Sequence, residues 1–144
     1  MTITVKKIQL WSLVIDNHPG ALARALQPLA EAGADLKIVM ATAIPGPGKK
    51  ASVGVSPITG RKLIAAARKA GFAPAAAMPS LLVGGENRAG LGNRMSESIA
   101  AAGINIGVAV AQVAGPHFSA LFGFASEGDA TKAAALLKKV GTAK

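Results

Sequence analysis

At 144 residues, 51% hydrophobic and 16% charged, the chain is long enough for one ordinary domain or two very small ones and too apolar to be intrinsically disordered. It has no cysteine, which excludes disulfides, thiolate metal sites and a cysteine nucleophile. A net charge of +9 invites a nucleic-acid reading, but with no tyrosine, one tryptophan and four phenylalanines a row of stacking aromatics is unavailable, and the cations fall as scattered pairs that read as a solvated basic surface.

The chain opens with two lysines before an apolar run, a faint imitation of a signal peptide. The run ends in Asp16-Asn17-His18-Pro19, however, and not in a small-residue cleavage site. Its β-branched residues predict a strand over residues 8–15, no stretch is long enough to span a membrane, and cytoplasm is the expected compartment. A helix follows, with Leu22, Ala25, Leu26 and Leu29 at three- and four-residue spacing. Pro28 inside it predicts a kink or an irregular start, and Gly33 ends it. Residues 36–44 form a second strand, Pro45-Gly46-Pro47-Gly48 a turn, and residues 51–56 a third strand. A helix from about Thr59 buries Leu63, Ile64 and Ala67, Gly71 ends it, and residues 72–78 supply a weak fourth strand. The second half reads alike: strand 80–85, a helix with Leu91, Met95 and Ile99, strands 105–114 and 117–125, and a helix over 129–140.

The halves are related by a repeat. Residues 14–36 align without a gap on residues 84–106 at an offset of seventy: Asp16 meets Glu86, Asn17 meets Asn87, Gly20 meets Gly90, Arg24 meets Arg94, Gly33 meets Gly103, and Asp35 meets Asn105. The same offset brings Ser56 onto Ser126, Arg68-Lys69 onto Lys138-Lys139, and Gly71 onto Gly141. Each unit is therefore expected to be βαββαβ. The second unit runs out before its last strand, and by the same period residues 1–7, where Ile3 and Val5 alternate with polar residues, occupy that register.

A βαββαβ unit with Asp-Asn-His-Pro-Gly, or Glu-Asn-Arg-Ala-Gly, between its first strand and first helix resembles the ACT domain, a ferredoxin-like module that binds amino acids in biosynthetic enzymes. The resemblance covers nearly the whole chain, once per half. It implies an α+β protein of two ACT units side by side with antiparallel sheets. Residues 1–77 would form the first and residues 78–144 the second, whose truncated last strand residues 2–7 would replace. It further implies a non-catalytic regulatory protein without cofactor, an amino-acid effector, a homodimer or higher homo-oligomer, and a biosynthetic enzyme as a partner.

The loop has chemistry suited to that ligand. Gly20 and Gly90 let backbone approach closely, N–H groups at the first turn of the following helix suit a carboxylate, and Asn17 and Asn87 each carry a donor and an acceptor. In serine-binding ACT proteins a second Asn starts the second strand. Asn105 matches that position; Asp35 departs from it. The resemblance implies that such units pair through their second strands, setting Asn17 against Asn105 and Asn87 against Asp35, with His18, Gly20, Leu36, Arg88, Gly90, Leu91 and Ile106 alongside. The Asn17/Asn105 site is expected to be the better one, because ionised Asp35 cannot donate to a carboxylate. Plainer readings stand beside these. Asn17 and Asn87 also suit helix caps, Asn105 suits a turn, His18 and Arg88 suit exposed turn positions, and Trp11 suits the core.

No catalytic constellation is present. His18 and His117 are far apart in the chain, each beside a turn, and neither a metal site nor a base–nucleophile pair emerges. Gly46-Pro47-Gly48-Lys49-Lys50 lacks the spacing and the Ser/Thr of a P-loop. The alternative to an amino-acid sensor is a ligand-free interaction module that regulates a separate enzyme.

Overall fold

Alternation in Ile3-Thr4-Val5-Lys6 suits a strand with one buried face, and in the computed structural model, which describes residues 2–142, Ile3–Ile8 forms β1. The elements that follow are β2 (Trp11–Asp16), α1 (Ala21–Glu31), β3 (Ile38–Ile44), β4 (Lys50–Ser56), α2 (Arg61–Lys69) and β5 (Ala73–Pro74). After them come β6 (Ser80–Glu86), α3 (Leu91–Ala101), β7 (Val108–Ala114), β8 (His117–Gly123) and α4 (Glu127–Thr142). The chain divides into two compact units, one of residues 9–75 and one in which the N-terminal strand joins the chain from Ala76 onward. No helix among the described residues is long and apolar enough to cross a membrane.

Each unit holds one four-stranded antiparallel sheet. The orders are β3-β4-β2-β5 and β7-β8-β6-β1, the same arrangement once β1 is counted as a fourth strand. β1 pairs with β6 along its whole length, from Ile3 opposite Gly85 to Ile8 opposite Ser80. Its apolar face reaches the core: Ile3 is 4% exposed, within a cluster that includes Leu81, Val83, Met95, Ile99, Phe118 and Leu137. The core of the other unit gathers Trp11, Leu29, Val53, Val55, Leu63, Ala67 and Phe72. Phe118, Phe122 and Phe124 are all buried and pack in the core.

Helices cover the inner face of each sheet through stripes set by 3.6-residue periodicity. These are Ala25 and Leu29 on α1, Leu63 and Ala67 on α2, Leu91, Met95 and Ile99 on α3, and Ala130, Ala133, Leu137 and Gly141 on α4. α1 runs unbroken through Pro28; the proline falls in the last turn, so only one intrahelical bond is lost.

Two sequence expectations change. The fourth strand of the first half, expected over residues 72–78, shrinks to Ala73–Pro74, opposite Ser12 and Trp11. The offset of seventy holds only to the hairpin. β3 and β7 lie seventy apart, but β4 and β8 lie sixty-seven apart, because residues 45–49 connect one pair and Gly115-Pro116 the other. Ser56/Ser126, Arg68-Lys69/Lys138-Lys139 and Gly71/Gly141 are therefore not equivalent. Gly71 lies just beyond α2 with φ +100°, whereas Gly141 is buried inside α4, where an added Cβ would come within 2.8 Å of the Ile3 nitrogen. The corrected alignment shows a volume exchange: Gly85 faces Phe118 across one strand pair, and Ile15 faces Ala51 across the other.

Candidate functional site

In both units the segment between first strand and first helix lies beside the central hairpin, and a backbone bond ties it there. Asn17 N–H donates to the Lys49 carbonyl (2.7 Å), and Asn87 N–H donates to the Pro116 carbonyl (2.8 Å). The residue before each helix is a glycine in the left-handed region, Gly20 at φ +87° and Gly90 at φ +80°, a conformation that costs other L-residues about 1–2 kcal/mol. Neither helix start carries a side-chain cap. The capping reading of Asn17 and Asn87 therefore fails. Their side-chain amides are exposed and find no hydrogen-bond partner among the described residues.

The bonds at the helix starts show which donors stay open. Ala21 N–H bonds to the His18 carbonyl and Arg24 N–H to that of Gly20; Leu91 N–H bonds to Arg88 and Arg94 N–H to Gly90. Leu22 and Ala23 N–H, and equally Gly92 and Asn93 N–H, find no acceptor among the described residues. Each helix thus opens with two free N–H groups at the positive end of its dipole.

Those helix starts border cavities. In the unit of residues 9–75, a cavity of about 290 Å³ runs from Asn17, His18, Gly20, Leu22 and Ala23 across to Ala41, Thr42 and Ala43 on β3, over Ile15 and Ala51. In the other unit, a cavity of about 200 Å³ runs from Asn87, Arg88, Gly90, Leu91 and Gly92 across to Ala111, Gln112 and Val113 on β7, over Met95 and Phe118. The sequence reading missed Thr42 and Gln112. They sit at matching positions as lone polar residues in otherwise apolar stretches, a signal that was available.

The remaining candidates lie elsewhere in each unit. Asp35 and Leu36, and Asn105 and Ile106, precede β3 and β7 at the end of the sheet opposite the loop. Lys37 N–H bonds there to the Ser56 carbonyl, and Gly107 N–H to that of Gly123. Lys37 Nζ holds the Asp35 carboxylate at 2.7 Å. Within one unit, therefore, the loop and the second-strand start do not meet. Beside the loop, Lys50 pairs with Asp16. The hydrogen bond and charge of Lys50 hold the Asp16 carboxyl below its ordinary 3.8, and the charge of His18 acts in the same direction. His18 Nδ1 is 3.1 Å from the Pro19 carbonyl oxygen.

Solved structures with this architecture match along nearly the whole chain. The regulatory subunit of aspartate kinase from Thermus thermophilus superposes with a TM-score of 0.68 at 16% identity, covering 97% of both chains. The chain has the tandem ACT fold. A Bacteroides thetaiotaomicron protein matches with a TM-score of 0.69 at 14% identity, over 94% of this chain and 98% of that one. The aspartate kinase of Clostridium acetobutylicum matches with a TM-score of 0.57 at 16% identity, over 96% of this chain but 34% of the enzyme. No protein-family model matches the sequence, and no curated protein does.

Proposed function

We propose that this ACT protein is a non-catalytic amino-acid sensor of the cytoplasm. In this reading the effector's α-carboxylate meets the free N–H groups of Leu22 and Ala23, or of Gly92 and Asn93, while Asn17 or Asn87 takes the ammonium. The observation that carries it is the helix start itself. The uncapped glycine turn leaves the Asn side chain uncommitted, and Asn17, Leu22 and Ala23 line one cavity, as Asn87 and Gly92 line the other.

The site is completed by the second-strand start of another ACT unit, so that Asn17 works with Asn105 and Asn87 with Asp35. Two features support this pairing. β3 and β7 each end a sheet, and they expose Val39, Ile44, Val110 and Val113 at 41–54%, an apolar edge suited to strand pairing and homo-oligomer formation. The commitment of Asp35 to Lys37 makes Asn17/Asn105 the stronger site. The neighbours that are regulatory subunits of aspartate kinase support a separate biosynthetic enzyme as the regulated partner.

Thermal melting of the protein with each of the twenty amino acids tests the reading. At least one should raise Tm by mass action, and Asn17→Ala should weaken that ligand about tenfold or more, the cost of a hydrogen bond to a charged group. A flat response to all twenty would favour the ligand-free interaction module.

A further inference from the structure

The two sheets differ at their fourth strand. In one, β1 covers β6 from Ser80 to Gly85, and the long α4 lies over it with Gly141 against Ile3. In the other, β5 covers only Trp11 and Ser12, and α2 stops at Lys69, so the chain turns away at Gly71, whose Cβ position lies 3.1 Å from the Leu13 Cδ1. The edge of β2 from Val14 to Asp16 is left without a strand, and Val14 is 59% exposed. Beside it lies a cavity of about 370 Å³ between β2 and α1, bordered by Val14, Asp16, His18, Arg24 and Lys50.

We propose that this open edge receives a short extended acidic segment of a partner protein, added antiparallel to β2. The molecule holds its own template for the geometry, since Ile3–Val5 of β1 lies opposite Gly85, Gly84 and Val83 in the other sheet, the positions that Ile15, Val14 and Leu13 hold in this one. Strand addition of this kind draws affinity from main-chain bonds and specificity from flanking side chains. Those side chains set the charge. Arg24 is exposed and forms no ion pair among the described residues, His18 stands beside it, and Lys50 is already matched by Asp16. Residues 9–75 carry eight Lys and Arg against three Asp and Glu, a net +5 that disfavours a basic segment, including one from a second copy. Ile15 also sets the length. It occupies the position of Gly85, where the Thr2 carbonyl passes 2.8 Å from the Cβ site, so a strand on β2 can follow the path of Ile3–Val5 but cannot continue along that of Thr2, and is held to about three residues.

The test is an amide NMR titration of the intact protein with acetylated, amidated Glu-Ile-Glu-Val-Glu and, separately, Lys-Ile-Lys-Val-Lys. The acidic peptide should shift Val14, Ile15, Asp16 and Arg24, weaken with salt, and lose at least tenfold in affinity in Arg24→Glu but not in Arg94→Glu, where β1 already fills the slot. Equal binding of both peptides, shifts confined to β3 or β7, equal sensitivity to the two Arg variants, or no binding by either peptide would each overturn the proposal. Asn17 borders the cavity beside β3 and not the one beside β2, so Asn17→Ala should weaken the amino acid and leave peptide binding intact, and failure of either reading leaves the other standing.

Discussion

Replacing Ile3 and Gly141 tests how the N-terminal strand is held. Ile3 is 4% exposed and belongs to the core around Leu81, Val83 and Leu137. Truncation to Ala should therefore cost about 2–5 kcal/mol, a large share of the roughly 5–15 kcal/mol that folded proteins possess. Gly141 is where α4 crosses β1. An added Cβ would stand 2.8 Å from the Ile3 nitrogen and 2.9 Å from its Cβ and Cγ1. The helix-propensity gain of Gly→Ala, about 1 kcal/mol, is then opposed by overpacking of about 1–3 kcal/mol, and the nitrogen cannot retreat without disturbing the pairing of β1 with β6. Gly128→Ala is the control in the same helix, since its Cβ would meet only the Ser126 Oγ at 3.8 Å. Urea unfolding followed by far-UV circular dichroism reads all three as midpoint shifts at constant m. Ile3→Ala should fall furthest, Gly141→Ala should fall, and Gly128→Ala should hold or rise. In Ile3→Ala/Gly141→Ala the two losses should not add, because the smaller side chain relieves one of the clashes. Loss of less than 1 kcal/mol for Ile3→Ala, or equal behaviour of the two glycine variants, would refute the packing argument.

Three further outcomes follow from particular contacts. Gly90→Ala should destabilise by about 1–2 kcal/mol through backbone strain alone, since no atom lies within 4 Å of the added Cβ, while Gly92→Ala, equally unobstructed but inside α3, should stabilise by about 0.5–1 kcal/mol; thermal melts of the pair should move in opposite directions. The Asp16 carboxyl, held below 3.8 by Lys50, should titrate nearer 3.8 in Lys50→Met by NMR. Because the folded value is the lower one, the stability this pair adds is present above 3.8 and lost as pH falls through the depressed value. The exposure of both side chains to solvent keeps it small. Arg68 stacks 5.2 Å from the Trp11 ring centroid, so Arg68→Ala should cost about 0.5–1 kcal/mol and change the emission of the sole tryptophan; an unaltered spectrum would remove that contact from the account.

Much of the fold was legible because its signals were local. Helix stripes such as Leu91, Met95 and Ile99, the glycines after α1 and α3, and the turn at residues 45–48 each follow from short-range geometry. The fourth strands were less legible because a strand at a sheet edge is decided by what lies next to it. Residues 72–78, alanine-rich with one proline, read only as a weak strand, and only Ala73–Pro74 pairs. The periodicity placed residues 1–7 in the register of a fourth strand, and β1 lies along β6. The alignment slipped after the hairpin because Gly115-Pro116 closes in two residues what residues 45–49 close in five, and alanine-rich helices supplied chance identities at the wrong offset. At the site, the Asn and Gly positions were readable from the repeat. Open N–H groups at the first helical turn were readable too; that they are those of Leu22, Ala23, Gly92 and Asn93 was not, since it depends on Ala21, Arg24, Leu91 and Arg94 bonding back into the turn.

The central claim is that a helix start freed by its glycine turn receives an amino-acid carboxylate. Amide NMR of the intact protein, titrated with whichever of the twenty amino acids raises its melting temperature most, reads those donors directly. Binding should move the Leu22 and Ala23 amides, or those of Gly92 and Asn93, together with the side-chain amide of Asn17 or Asn87. Saturable binding that leaves all of these unmoved would contradict it.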